Sequence, residues 1–204
     1  TNNINITSRI TYLAINNDRK LLHLGASNSI RRNNDKTYKI SSRAGNHLGT
    51  KLIDATFDNI DESNLLGGEF AYVNGSLSLQ GEYLQTTLIG VTETKLSSYY
   101  AQLSYFLTGE SRPYKSSLDG FGRVKPNNNY GKGGRGAIEV VVRTSQICLE
   151  KADMGQLNTR TIGLNWHLNP NTRVMINYVM GERTSLSDEV ITENAAMMRV
   201  QLDF

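Results

Sequence analysis

Strict alternation of apolar and polar residues is the feature that most restricts how this sequence can fold. In residues 76–88, one side of the alternation carries leucine, glycine and tyrosine, and the other carries serine, glutamine and glutamate. The same pattern recurs in residues 96–108, 158–168 and 192–204. An α-helix would need apolar residues three and four positions apart, and these stretches lack that spacing. The alternation therefore predicts β-strands with one apolar and one polar face.

The alternating stretches and the turn signals between them predict nine antiparallel strands. These cover roughly residues 4–15, 20–31, 64–74, 76–88, 96–108, 136–149, 158–168, 172–180 and 192–204. Short turns rich in Asn, Gly and Pro are predicted at 16–20, 73–76 and 168–171. Two connections, 32–63 and the basic, Gly-rich 109–135, are far longer than a hairpin needs. Connections of such length are usually functional or disordered.

The polar composition points to a protein that crosses a membrane with strands. Only 38% of the residues are hydrophobic, and no run approaches the ~18–20 apolar residues of a membrane-spanning helix. In a transmembrane barrel every second side chain faces lipid while the others face a wet lumen. We therefore predict an all-β fold, an antiparallel transmembrane β-barrel. A soluble β-sandwich or lipocalin-like binder is the alternative, disfavoured because the apolar faces have no matching second core.

Composition and spacing argue against several other classes of function. The single cysteine excludes an internal disulfide and a zinc site built from thiolates. A net charge of +3, with no run of more than two basic residues, argues against nucleic-acid binding. The histidines His23, His47 and His167 invite comparison with hydrolases, but Ser27 and Ser29 would lie ~13 Å or more from His23 along a strand. No nucleophile–base pair follows, so we expect neither enzyme activity nor a cofactor.

The alternation also assigns aromatic and basic side chains to faces. Nine aromatic residues are predicted to face outward, as in a lipid-interface girdle: Tyr12, Phe70, Tyr72, Tyr83, Tyr99, Tyr105, Trp166, Tyr178 and Phe204. Five arginines are predicted on or near inward positions: Arg9, Arg143, Arg160, Arg173 and Arg199. We expect these arginines to pair with glutamates or aspartates across the wall.

Several segments resemble the phosphate-selective porin O/P family of bacterial outer-membrane proteins. They are HLGA (23–26), NLLGGEFAYVNGSLSLQGEYLQT (64–86), YYAQLSYFLTGESRPYK (99–115), FGRVKP (121–126), GLNWHLNPNTRVMINYV (163–179) and RVQLDF (199–204). The resemblance implies a barrel of about sixteen strands, of which residues 1–204 form the C-terminal half with about seven strands missing. It further implies a homotrimer in the outer membrane, in contact with lipid, that passes small anions such as phosphate or polyphosphate.

The resemblance also implies which residues meet the anion. Family members line the lumen with arginines of an infolded loop and with lysines near the periplasmic end. The infolded loop corresponds to 32–63, where Lys39 and Arg43 keep the basic pattern and Ser41 departs from it. The lysine region corresponds to 109–135, and the basic residues that fall on its motif are Lys115, Arg123 and Lys125.

Two functions remain open for such a barrel. The first is a passive porin, in which spaced cations replace the hydration of an anion without holding it too tightly. The alternative is a structural or adhesive outer-membrane barrel with a plugged lumen, whose outer loops bind partners. Conductance in a planar bilayer separates the two.

Overall fold

The computed structural model describes residues 5–46, 48–116, 120–131, 133–149 and 154–203. Within these residues the chain forms thirteen β-strands. In chain order they are β1 (Asn5–Asn17), β2 (Lys20–Arg32), β3 (Thr37–Ser42), β4 (Ile53–Asp58), β5 (Ile60–Asn74), β6 (Leu77–Gly90), β7 (Thr94–Phe106), β8 (Tyr114–Lys115), β9 (Gly120–Phe121), β10 (Ala137–Cys148), β11 (Gln156–Asn169), β12 (Thr172–Thr184) and β13 (Val190–Leu202). In this part of the chain no helix is both long and apolar enough to span a membrane.

Nine long strands form one antiparallel sheet in the order β1–β2–β5–β6–β7–β10–β11–β12–β13. Each of them matches one of the nine predicted strands, with boundaries displaced by a few residues. The prediction of an all-β antiparallel fold is therefore confirmed. Two short pairs, β3–β4 and β8–β9, lie inside the long connections 32–63 and 109–135 and were not predicted.

The pairing register separates the sheet into two chemically different faces. Directly opposed residues of antiparallel neighbours lie on the same face, as Leu79 and Leu103 do on one face and Gln80 and Gln102 on the other. The face that carries Leu79 exposes large apolar side chains, such as Ile10 at 74% and Met198 at 70%. We call it the outer face and the opposite one the inner face.

The aromatic residues follow this division. All eight within the described range, Tyr12, Phe70, Tyr72, Tyr83, Tyr99, Tyr105, Trp166 and Tyr178, lie on the outer face by register. Phe204 and His47 lie outside the described residues. The prediction that Arg160 faces inward is wrong, because it opposes Met180 on the outer face. Side chains alternate along β11, so Arg160 shares its face with Ile162 and Leu164.

The β3–β4 hairpin packs against the inner face of the sheet. Its buried residues Ala44, Leu52 and Ile53 form one apolar cluster with residues from β5, β6, β7, β11 and the end of β10, namely Ile60, Leu88, Leu96, Leu149 and Leu157. Ala44 sits directly over Gly181 of β12, where any added Cβ would collide with the Ala44 side chain. The hairpin thus leaves the sheet between β2 and β5 and reaches across to β12.

The long connection between β7 and β10 lies at the opposite end of the sheet. Phe106 and Ala137 bound this connection, and the tight turns 18–19, 75–76 and 170–171 lie at the same end. We call this end of the sheet the turn end. The opposite end, from which the β3–β4 hairpin leaves the sheet, is called the loop end.

Candidate functional site

Two adjoining cavities line the inner face of the sheet. The first, of about 440 Å³, lies beside the β3–β4 hairpin and is called the hairpin cavity. The second, of about 450 Å³, lies toward the turn end and is called the turn-side cavity. Gln102 and Asn165 line both cavities, so the two adjoin on the inner face.

Two arginines from different elements line the hairpin cavity. Arg43 follows β3, and its Nε donates to the carbonyl oxygen of Gly49 at 2.9 Å. Arg143 lies on the inner side of β10, and its guanidinium stacks on the ring of Tyr100 at 3.6 Å from the ring centroid. Among the described residues, no carboxylate lies within ion-pair distance of Arg43 or Arg143. Their positive charges therefore lie at the cavity with no carboxylate partner in the described part of the chain.

Three further arginines line the turn-side cavity. Arg173 donates from Nε and Nη2 to the amide oxygen of Gln201, at 3.1 and 2.7 Å. Arg123 donates to Asn171 at 2.7 Å and lies 3.6 Å from the carboxylate of Asp203. Together with Arg112, these side chains give the cavity three guanidinium groups.

Arg112 is held inside the turn-side cavity by contacts with the wall and with its own connection. Its Nη1 donates to the amide oxygen of Gln80 at 2.5 Å, and its guanidinium lies 3.7 Å from the ring centroid of Phe121. Burial lowers the pKa of Arg112 from its ordinary value, partly offset by the charge of Glu139. An arginine keeps its proton in proteins nonetheless, so this residue is a fixed cation.

A hydrogen-bonded chain of side chains ties the connection that follows β7 to the first strands of the sheet. The Tyr114 hydroxyl lies 2.8 Å from Nδ1 of His23, whose Nε2 lies 2.9 Å from the carboxylate of Glu69. Arg9 donates to the same carboxylate. Gly25 leaves the space that Glu69 occupies, because a Cβ there would meet the glutamate side chain. The chain fixes Tyr114, and with it Arg112, against the inner face.

The predicted site residues fall into two groups. Arg43 lines the hairpin cavity and Arg123 lines the turn-side cavity. Lys39, Lys115 and Lys125 are exposed and line neither of these two cavities. A direct role of the five residues in ion passage stays a prediction.

Lys39 is partly neutralised by its surroundings. Its Nζ lies 3.5 Å from the carboxylate of Asp54, which also accepts a hydrogen bond from Lys51 at 3.0 Å. The hydrogen bond from Lys51 and the charge of Lys39 hold the pKa of Asp54 below its ordinary value. Asp54 is therefore a carboxylate at neutral pH and cancels one of the two lysine charges.

Three cavity arginines were not predicted as site residues: Arg112, Arg143 and Arg173. For Arg143 and Arg173 the alternation gave the correct face, but we expected both to pair with carboxylates across the wall. Only Arg9 does so, with Glu69, among the described strand arginines. Arg143 and Arg173 instead contact Tyr100 and Gln201, so the expected pairing is wrong for these two. Arg112 lies within the 99–115 segment, but nothing in its sequence context marked it as buried.

Comparison with known proteins relates the sequence of this chain to one family. A family model described as phosphate-selective porin O and P matches residues 5–204. Porin O of Pseudomonas aeruginosa is 30% identical over 172 residues, covering 73% of this chain and 38% of that protein. An uncharacterized protein of Caulobacter vibrioides is 28% identical over 196 residues, covering 90% of this chain and 39% of that protein. The chain thus spans about two fifths of the length of these curated relatives.

Proposed function

This chain belongs to the phosphate-selective porin O and P family, and from this membership we propose that it forms part of a pore for small anions. The family places the protein in the bacterial outer membrane and among porins rather than enzymes. In this proposal the outer face meets membrane lipid, and the inner face lines the pore. Phosphate and polyphosphate are the proposed preferred anions, and the pore is proposed to be a homotrimer.

One observation carries the proposal: five arginines surround two adjoining cavities on the inner face. An anion that enters a narrow pore loses hydration and needs fixed cations and hydrogen-bond donors in exchange. Guanidinium groups supply planar pairs of donors that suit the oxygens of phosphate. Several sites in series bind an ion strongly enough to admit it and weakly enough to release it.

The two long connections have distinct parts in this proposal. The 32–63 segment is proposed to narrow the pore from the loop end, supported by the packing of Ala44 on Gly181 and by Arg43 in the hairpin cavity. The 109–135 segment is proposed to do so from the turn end, supported by the contacts of Arg112 and Tyr114 with the wall. Lys39, Lys115 and Lys125 are proposed to attract anions toward these narrow regions.

The proposal is tested by the zero-current potential of the full-length protein in a planar bilayer under a potassium chloride gradient. We expect the zero-current potential to have the sign of an anion-selective pore. We also expect added phosphate to reduce the chloride current, because phosphate competes with chloride for the arginines. A cation-selective pore would contradict the proposal.

A plugged structural or adhesive barrel is the second candidate. It is favoured by the side chains of Arg112, Tyr114 and Phe121, which lie against the inner face where an open lumen would run. The same bilayer measurement separates the two candidates, since a plugged barrel inserts without opening a steady conductance.

Asp54 provides a test of the electrostatics near Lys39. The change Asp54→Asn is expected to strengthen anion selectivity, because it removes the carboxylate that neutralises Lys39 and Lys51. Both lysines are substantially exposed, so the shift of the zero-current potential is expected to be modest. The change Asp188→Asn in the β12–β13 loop removes the same charge away from both cavities and is the control. A shift toward cation selectivity in Asp54→Asn would contradict the expectation.

A further inference from the structure

The turn-side cavity contains a buried carboxylate among its arginines. Glu139, on the inner side of β10, is only 6% exposed and lines the cavity together with Arg112 and Arg173. Its Oε2 accepts a hydrogen bond from the side-chain amide of Asn165 at 2.8 Å. A carboxylate in the path of an anion repels it, unless the anion itself donates a hydrogen bond.

The neighbour of Glu139 is a buried histidine with an unsatisfied nitrogen. His167 is 5% exposed and lines the same cavity. Its Nε2 lies 3.7 Å from Oε2 of Glu139, beyond hydrogen-bond distance, and finds no hydrogen-bond partner among the described residues. This nitrogen has almost no exposed surface, so it lies behind the cavity wall beside the carboxylate of Glu139 and not at the surface of the cavity.

We propose that the turn-side cavity selects oxyanions that carry a proton, and that Glu139 recognises this proton. The inference rests on the proposed anion pathway and adds a specificity residue to it. Arg112 and Arg173 would bind the charged oxygens, while the carboxylate of Glu139 accepts the hydrogen bond of a P–OH group. Inorganic phosphate keeps at least one P–OH group at neutral pH, whereas sulfate carries no proton and meets Glu139 as a like charge.

The direct test compares phosphate and sulfate as blockers of chloride current through the full-length protein at neutral pH. The wild-type pore is expected to be blocked by phosphate at a lower concentration than by sulfate. In Glu139→Gln, sulfate should become about tenfold more effective as a blocker relative to phosphate, measured by the ratio of their half-blocking concentrations. A change of this size corresponds to the loss of one hydrogen bond to a charged group. Glu182→Gln removes the same charge from the outer face, opposite Asn158, and should keep the wild-type ratio.

A second measurement needs no mutation of the protein. Methyl phosphate loses its last P–OH proton near pH ~6, so it carries one at about pH 5 and none at about pH 8. If only charge mattered, the dianion present at the higher pH would block more tightly than the monoanion. If Glu139 accepts the P–OH hydrogen bond, the dianion should block less tightly than the monoanion. Sulfate has the same charge at both values and corrects for titration of the protein itself. This measurement decides the question if Glu139→Gln fails to assemble.

The outcomes separate the two proposals. A wild-type pore that prefers cations overturns the anion pathway and this inference with it. An anion-selective pore overturns the inference alone if Glu139→Gln keeps the wild-type ratio of phosphate to sulfate block. The inference is also overturned if methyl phosphate blocks more tightly as a dianion, after correction by sulfate.

Discussion

In the proposed anion pore, replacing Arg43 and Arg143 together by glutamate is expected to convert anion selectivity into cation selectivity. Both side chains line the hairpin cavity, and neither has a carboxylate partner among the described residues. At an effective dielectric constant of about 20, a charge ~4 Å from an ion contributes about 4 kcal/mol before desolvation is subtracted. Reversing two such charges changes attraction of anions into repulsion. The zero-current potential under a potassium chloride gradient should therefore change sign.

The matched control reverses two charges outside the cavities. Lys20 and Lys95 lie on the outer face, opposite Asn74 and Thr87, at the two ends of the sheet. Their joint replacement by glutamate changes the net charge by the same amount and should leave the pore anion-selective. If both double variants shift the potential equally, selectivity depends on the overall charge of the protein, and the hairpin cavity has no special part in it.

A bulky side chain at Gly181 is expected to release the β3–β4 hairpin from the wall. Ala44 is 2% exposed and occupies the space that the Cβ of residue 181 would need. Overpacking of a well-packed contact costs about 1–3 kcal/mol, and a hairpin held by one apolar cluster relieves that strain by moving away. In Gly181→Leu we expect a larger single-channel conductance and weaker anion selectivity, because Arg43 leaves the cavity together with the hairpin.

Gly68 offers the control for this change. It lies on the outer face of β5, where an added Cβ would meet no atom within 4 Å. Gly68→Leu adds the same side chain to a long strand and should leave the conductance unaltered. A wild-type conductance in Gly181→Leu would show that the hairpin is not what narrows the pore.

The strands and their faces could be predicted from the sequence because both depend on the side chains of adjacent residues. Alternation in 76–88 and 96–108 already assigns Leu79 and Leu103 to one face, and the register of β6 and β7 confirms it. The β3–β4 hairpin could not be predicted in this way. Its position depends on contacts such as Ala44 with Gly181, between residues remote in the chain, and no local pattern encodes them.

Only part of the site could be predicted from the sequence, because the contacts of its long side chains are not encoded by a local pattern. Arg143 and Arg173 lie on the polar side of their strands by simple alternation, but alternation does not reveal which partner a long side chain finds. Arg143 contacts an aromatic ring and Arg173 contacts an amide oxygen. Neither of these groups carries a negative charge, so both positive charges remain available in the cavities. Lys39 shows the opposite case, since the register of β3 and β4 brings Asp54 next to it.

The packing of Ala44 against Gly181 also limits the order in which the parts of the structure can form. Each long strand pairs only with its neighbours in the succession from β1 to β13, so the wall can grow one strand at a time from contacts that are short in sequence. The hairpin belongs to the early part of the chain, but its docking surface on β12 exists only when the last strands are in place. Ala44 can therefore reach its place on Gly181 only after β12 has joined the sheet, whereas the contacts of the hairpin with Ile60, Leu88 and Leu96 can form as soon as β5, β6 and β7 are paired. Docking of the hairpin is thus completed in two stages.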